Sequence, residues 1–148
     1  MDCKRVKKDF KIVGMKNSGN FSNFASEVPQ FAQKFLSRAN EIDNSSETEI
    51  SLFEPKKDDN HQEGHYYVGL IVNKNIEKVP PGMEYIEQAQ EYVTVRGKIN
   101  NVGELHTQLT KWADEQGYKR NTDSYIVETY HPVENDLEDV EIYLPIHA

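Results

Sequence analysis

Two helix-period stripes, each followed by two strand-like runs, restrict this 148-residue chain to folds that lay two amphipathic helices on an antiparallel sheet. In the first stripe Val28, Phe31, Ala32, Phe35, Leu36 and Ala39 recur at the spacing of one apolar helix face. Ser26 is placed to cap that helix, and Pro29 suits a first turn, where a missing N–H costs nothing. In the second stripe Val102, Leu105, Leu109, Trp112 and Ala113 take the same spacing, with Asn100 or Asn101 as N-cap and Gly117 as the stop.

Strand patterns surround both helices. Asp9–Lys16 alternates, with Phe10 and Ile12 on one face and Val13 and Met15 on the other. After the first helix come Glu47–Glu54, a polar loop over Lys56–Gly64, and His65–Val72, the strongest strand pattern present. Met83–Ile86 and Glu91–Gly97 read as extended before the second helix, and Tyr125–His131 and Val140–Ile146 follow it. Glu54-Pro55 and His131-Pro132 end corresponding runs. The expectation is one α+β domain over residues 1–148, made of two pseudo-symmetric β-α-β-β modules, about 9–73 and 83–146, with residues 1–8 as a basic lead-in. Joined, the modules form an antiparallel sheet with both helices on one face, which leaves the opposite, concave face free for a ligand in a cleft between them.

Composition narrows the partners. A net charge of -8 argues against nucleic acid, which wants clustered Lys and Arg. A single cysteine, Cys3, makes an internal disulfide impossible. No run approaches the ~20 apolar residues of a membrane helix, and no signal-peptide run follows Met1. The chain therefore reads as soluble and cytoplasmic. The acidic loop around His61 and His65 lacks a metal-site spacing, His106 and His147 have no partner at a useful spacing, and no glycine-rich phosphate loop occurs. No metal and no cofactor is expected.

Glu128 is the candidate site residue. It lies in the strand Tyr125–Tyr130, where Ile126 and Tyr130 share its face, and a carboxylate among apolar neighbours needs a partner. Tyr130 and Tyr143 are the aromatic candidates for a pocket around it, with one of Tyr66 and Tyr67. Aromatic faces beside a carboxylate suit flat or cationic organic ligands. On the last strand Val140, Ile142 and Leu144 form the helix-facing set, which turns Tyr143 to the other side. Trp112 belongs to a helix stripe and reads as core, with a secondary place as a pocket-border residue.

Five stretches, in this order, resemble a known family: Ile12-Val13-Gly14-Met15, Tyr66-Tyr67-Val68-Gly69, Val79-Pro80-Pro81-Gly82-Met83, Trp112 to Tyr118, and Glu128-Thr129-Tyr130 with Glu141 to Ile146. The chain resembles the GyrI-like small-molecule-binding domain, also called the AraC-type or bacterial transcription-activator effector-binding domain. The resemblance implies paired β-α-β-β modules and a pocket at their junction, with a buried acid at the position of Glu128 and an aromatic wall at Tyr143. Regulators of this family carry a helix-turn-helix, whereas about eight residues precede the first strand here, so a stand-alone member is expected. The resemblance implies three functions: binding of amphipathic, cationic or planar aromatic small molecules for sequestration or sensing; hydrolysis of cyclopropane-bearing genotoxic compounds with Glu128 as the catalytic base; and gyrase inhibition through a protein contact. Binding is the reading preferred here, with a regulator or gyrase as the possible protein partner.

Overall fold

The computed structural model describes residues 2–133 and 138–147. The elements run β1 (Lys4–Asn20), α1 (Phe24–Leu36), β2 (Ser45–Phe53), β3 (Glu63–Val72), β4 (Glu84–Lys98), α2 (Val102–Glu115), β5 (Ile126–Pro132) and β6 (Glu138–Pro145), with a short 3-10 turn before each helix. Among the described residues this is an α+β fold with two α-helices and six antiparallel strands. Among the described residues no helix is long and apolar enough to cross a membrane.

The strands pair in the order β1-β3-β2-β5-β6-β4, and β1 also pairs with β4, so the sheet closes into a barrel. Closure corrects the expectation that the sheet face opposite the helices is left free. It depends on the length of β1, whose first part, Lys4 to Lys11, pairs with Thr94 to Glu87 while its second part pairs with β3. The basic lead-in is thus strand from Lys4 onward, and β4 is one strand where the sequence reads as two extended pieces. Glu87 to Gln90 join those pieces. Pairing with β1 holds them in place, and no hydrophobic alternation of their own is required.

Alternation sorts the side chains into three clusters. Phe10, Ile12, Ile50, Leu52, Tyr67, Tyr92, Val127 and Tyr143 fill the barrel interior. On the outside, Val28 and Phe35 of α1 bury against Val13, Tyr66, Val68, Leu70 and Val72. Leu105, Leu109 and Ala113 of α2 bury against Val93, Val95, Val140, Ile142 and Leu144. Removing these apolar surfaces from water is the main force that fixes both helices to the barrel. The concave face expected to receive a ligand is therefore the packed barrel interior, and any opening must lie on the helix side.

The helix ends differ in how well they follow expectation. Gly117 stops α2 as expected, with φ +81° and Tyr118 N–H donating to the Ala113 carbonyl at 3.0 Å. Asn101 flanks its start. In α1 the flanking residue is Asn23 and not Ser26, whose hydroxyl donates to the Asn23 carbonyl at 3.0 Å. The 3-10 turn over Phe21–Asn23 begins the helix early, so Pro29 falls beyond the first turn and removes one intrahelical hydrogen bond.

Candidate functional site

β2 and β5 pair directly, with Phe53 opposite Ile126, Ser51 opposite Glu128 and Glu49 opposite Tyr130. All six side chains share the outer face of the sheet. Helix α1 packs on β1 and β3, and α2 packs on β4 and β6, so neither covers this seam. The uncovered seam is the floor of a cleft of about 800 Å³, within the range of small-molecule sites. Phe24, Val28 and Leu36 of α1 form one wall, and Val102 and His106 of α2 form the other.

Glu128 lies at the centre of that floor, 12% exposed, with Oε2 2.6 Å from His106 Nε2. Its Oε1 accepts a hydrogen bond from the Tyr130 hydroxyl at 2.8 Å. A carboxylate accepts only, so His106 Nε2 carries the hydrogen in this contact. Burial, and next the negative charge of Glu128, push the Tyr130 hydroxyl well above its ordinary pKa. Tyr130 is therefore a neutral donor throughout the physiological range.

His106 is the site residue that sequence reading missed, and its contact with Glu128 corrects the expectation that this histidine has no partner. A signal for it existed. His106 follows Val102 by four residues, which places it on the same side of α2. Its partner, 22 positions on, is set by tertiary packing that no local spacing reports. His61 and His65, read as part of a solvated loop, instead hold the two oxygens of Glu54 at 3.2 and 2.9 Å.

Among the candidates from sequence, Glu128 and Tyr130 come together in the cleft. The other four lie elsewhere. Tyr143 points into the barrel, where it meets Phe10 and Tyr92 edge-on and donates to Glu141 Oε2 at 2.6 Å. Tyr67 also faces the interior, and burial raises its hydroxyl to about 12. Tyr66 is enclosed beneath α1 by Phe24 and Phe31 and accepts a hydrogen bond from Asn17 at 3.2 Å. Trp112 packs against Tyr118, with ring centres 5.9 Å apart.

Glu49 gives the cleft a second acid. It has no hydrogen bond or ion pair among the described residues, and burial, then the charge of Glu138, raise its pKa. The sign of the pH effect follows from that direction. The unfolded chain ionises Glu49 at a lower pH than the folded protein does, so stability falls as pH rises between the two pKa values. Glu49→Gln is accordingly expected to raise Tm at neutral pH, with the gain vanishing at about pH 3, well below the ordinary glutamate pKa, where the carboxyl is protonated in both states. Melting curves of both proteins from acid to neutral pH check this, and a gain that persisted in acid would contradict it.

Solved structures share the fold over nearly the full chain. SAV2435 bound to tetraphenylphosphonium aligns with 100% of this chain and 95% of its own, at TM-score 0.73 and 13% identity. The EcmrR C-terminal domain aligns with 99% of each chain, at TM-score 0.62 and 14% identity. A hydrolase from Listeria innocua covers 98% of this chain and 91% of its own, at TM-score 0.59 and 10% identity. Among curated proteins nothing matches the chain. The family model of the GyrI-like small molecule binding domain matches residues 4–147, and with that coverage the chain belongs to the GyrI-like small molecule binding domain family.

Proposed function

We propose that the cleft over the β2–β5 seam binds an amphipathic small molecule with a positive charge, and that Glu128 anchors the charge. The observation that carries this reading is a carboxylate held on the floor of a cleft whose walls are aliphatic and aromatic. Apolar walls gain by burying aryl or alkyl surface, and a carboxylate away from bulk water attracts a cation more strongly than an exposed one does. Strand order supports a site at a junction of two related modules. β1-β3-β2 and β4-β6-β5 repeat one arrangement, and the cleft floor is one of the two seams, β2–β5 and β1–β4, at which these halves join. The neighbour SAV2435 is bound to tetraphenylphosphonium, an aryl-rich cation, which agrees with this chemistry.

Calorimetric titration with tetraphenylphosphonium tests the reading. The wild-type protein is expected to bind it, and Glu128→Gln to weaken binding by about tenfold, the equivalent of about 1.4 kcal/mol. Equal affinity for both proteins would remove Glu128 from the role.

One observation favours a hydrolytic reading as well. The Glu128–His106 contact orients an imidazole in the cleft, an arrangement able to take a proton from water attacking a strained electrophilic carbon. Mass spectrometry of the ligand after incubation separates the two readings, since a binder returns it unchanged.

A further inference from the structure

Charge is distributed unevenly along the cleft floor. At one end Lys56 lines the cleft, and the neighbouring Glu54 is held through both oxygens by His61 and His65. Glu128 stands in the middle, with His106 on one oxygen and the Tyr130 hydroxyl on the other. Glu49 and Glu138 mark the far end, close enough for the charge of one to act on the other. Glu49 is half-buried and has no hydrogen bond or ion pair among the described residues. A carboxylate drawn out of water without a partner is costly, and a cation set against it offsets that cost. Beyond it a second cavity of about 550 Å³ reaches Ile42 and Leu70, and Glu49 and Leu36 line both spaces. A molecule resting on Glu128 therefore has room to extend past Glu49.

Resting on the cation-binding reading, we infer that Glu49 is a specificity-determining residue, a second anchor that makes the cleft prefer elongated aromatic dications to monocations of the same shape. Ser51 pairs with Glu128 and Glu49 with Tyr130, so the two acids are diagonal neighbours across the β2–β5 seam, ~7–8 Å apart at the backbone. The two ring nitrogens of a bipyridinium span a comparable distance. Each positive centre of such a dication meets its own carboxylate, whereas a monocation leaves one carboxylate unmet. Lys56 sets the direction, since it repels a second charge aimed at its own end, while Glu138 strengthens the attraction at the other.

The test compares benzyl viologen, a bipyridinium dication, with its monocation isostere, in which carbon replaces one ring nitrogen. Tetraphenylphosphonium is titrated alongside. Calorimetry is done on wild type, Glu49→Gln and Glu115→Gln, with thermal melts to confirm that each is folded. Glu115 is exposed at the end of α2 and does not line the cleft, so its variant makes the same change in net charge away from the floor. Wild type is expected to favour benzyl viologen over the isostere by about tenfold, the scale of one further ion pair partly shielded from water. Glu49→Gln is expected to bring the two affinities together, chiefly by weakening the dication, and Glu115→Gln to keep the wild-type ratio. An unchanged ratio in Glu49→Gln, or an equal fall in Glu115→Gln, overturns the proposal while the cleft remains a cation site. Binding of tetraphenylphosphonium without either bipyridyl compound does the same. Failure of all three cations to bind wild type overturns the cation reading itself, and this inference with it.

Discussion

Gly103→Trp is expected to weaken ligand binding severely while leaving the protein as stable as wild type or more so. Gly103 lies in the first turn of α2 and lines the cleft. A Cβ built there meets no atom within 4 Å, so a larger side chain enters open space without forcing the backbone to move. Glycine in a helix costs up to about 1 kcal/mol relative to alanine, less near an end, and its replacement removes that cost. An indole between the helices takes the room that a ligand's aryl groups need, and a loss of about a hundredfold in affinity, about 2.7 kcal/mol, is the expected scale. Gly103→Ala serves as the control, since it carries the same backbone benefit without the bulk and is expected to bind normally. Titration with tetraphenylphosphonium beside melting curves gives both readouts. Undiminished binding by the tryptophan variant would place the ligand somewhere other than the cleft.

How far the sequence shows this site depends on which contacts are local. Both helices are legible because a helix face is a property of neighbours along the chain, although Ala39, read as the end of the first stripe, lies in a 3-10 turn beyond α1. The split of β6 into a helix-facing set, Val140, Ile142 and Leu144, and an opposite Tyr143 is correct for the same reason. Barrel closure is different. It rests on Lys4 to Lys11 pairing with residues of β4 some eighty positions on, and lysines on both faces of that segment hide any alternation. Once the sheet closes, the face opposite the helices becomes core, and Tyr67 and Tyr143 move with it. β5 itself gives no clue to orientation, since Ile126 and Val127 are both apolar while one faces the cleft and the other the barrel interior. Glu128 stands out because an acid inside an apolar strand is costly without a partner. That the partner is His106 follows from the position of α2 over the sheet, which only the assembled fold defines.

Gly69→Ala is expected to lower stability by about 3 kcal/mol, the scale of a core overpacked against atoms that cannot turn aside. Gly69 pairs with Gly14 across β1 and β3, and neither has a positive φ, so space and not backbone conformation requires glycine at both. A methyl on Gly69 would lie 2.6 Å from the Val13 carbonyl oxygen and 2.8 Å from Ile12 Cγ2; one on Gly14 would lie 2.6 Å from the Val68 carbonyl oxygen. Backbone oxygens within a paired ladder cannot rotate out of the way, so β1 and β3 have to separate. Gly97→Ala makes the comparison, because its methyl meets only the side chain of Leu105, at 2.8 Å, and that side chain can change rotamer. For a chain of this size the Gly69 substitution corresponds to a Tm lower by roughly 6–12 °C, with a visibly smaller drop for Gly97→Ala. Equal drops would mean that helix packing limits stability and that the close approach of β1 to β3 does not. The damage is also expected to reach the cleft, because β3 carries Tyr66 and Val68, the residues on which α1 rests. If β3 shifts, the α1 wall shifts with it, and ligand affinity falls even at temperatures where the variant is fully folded.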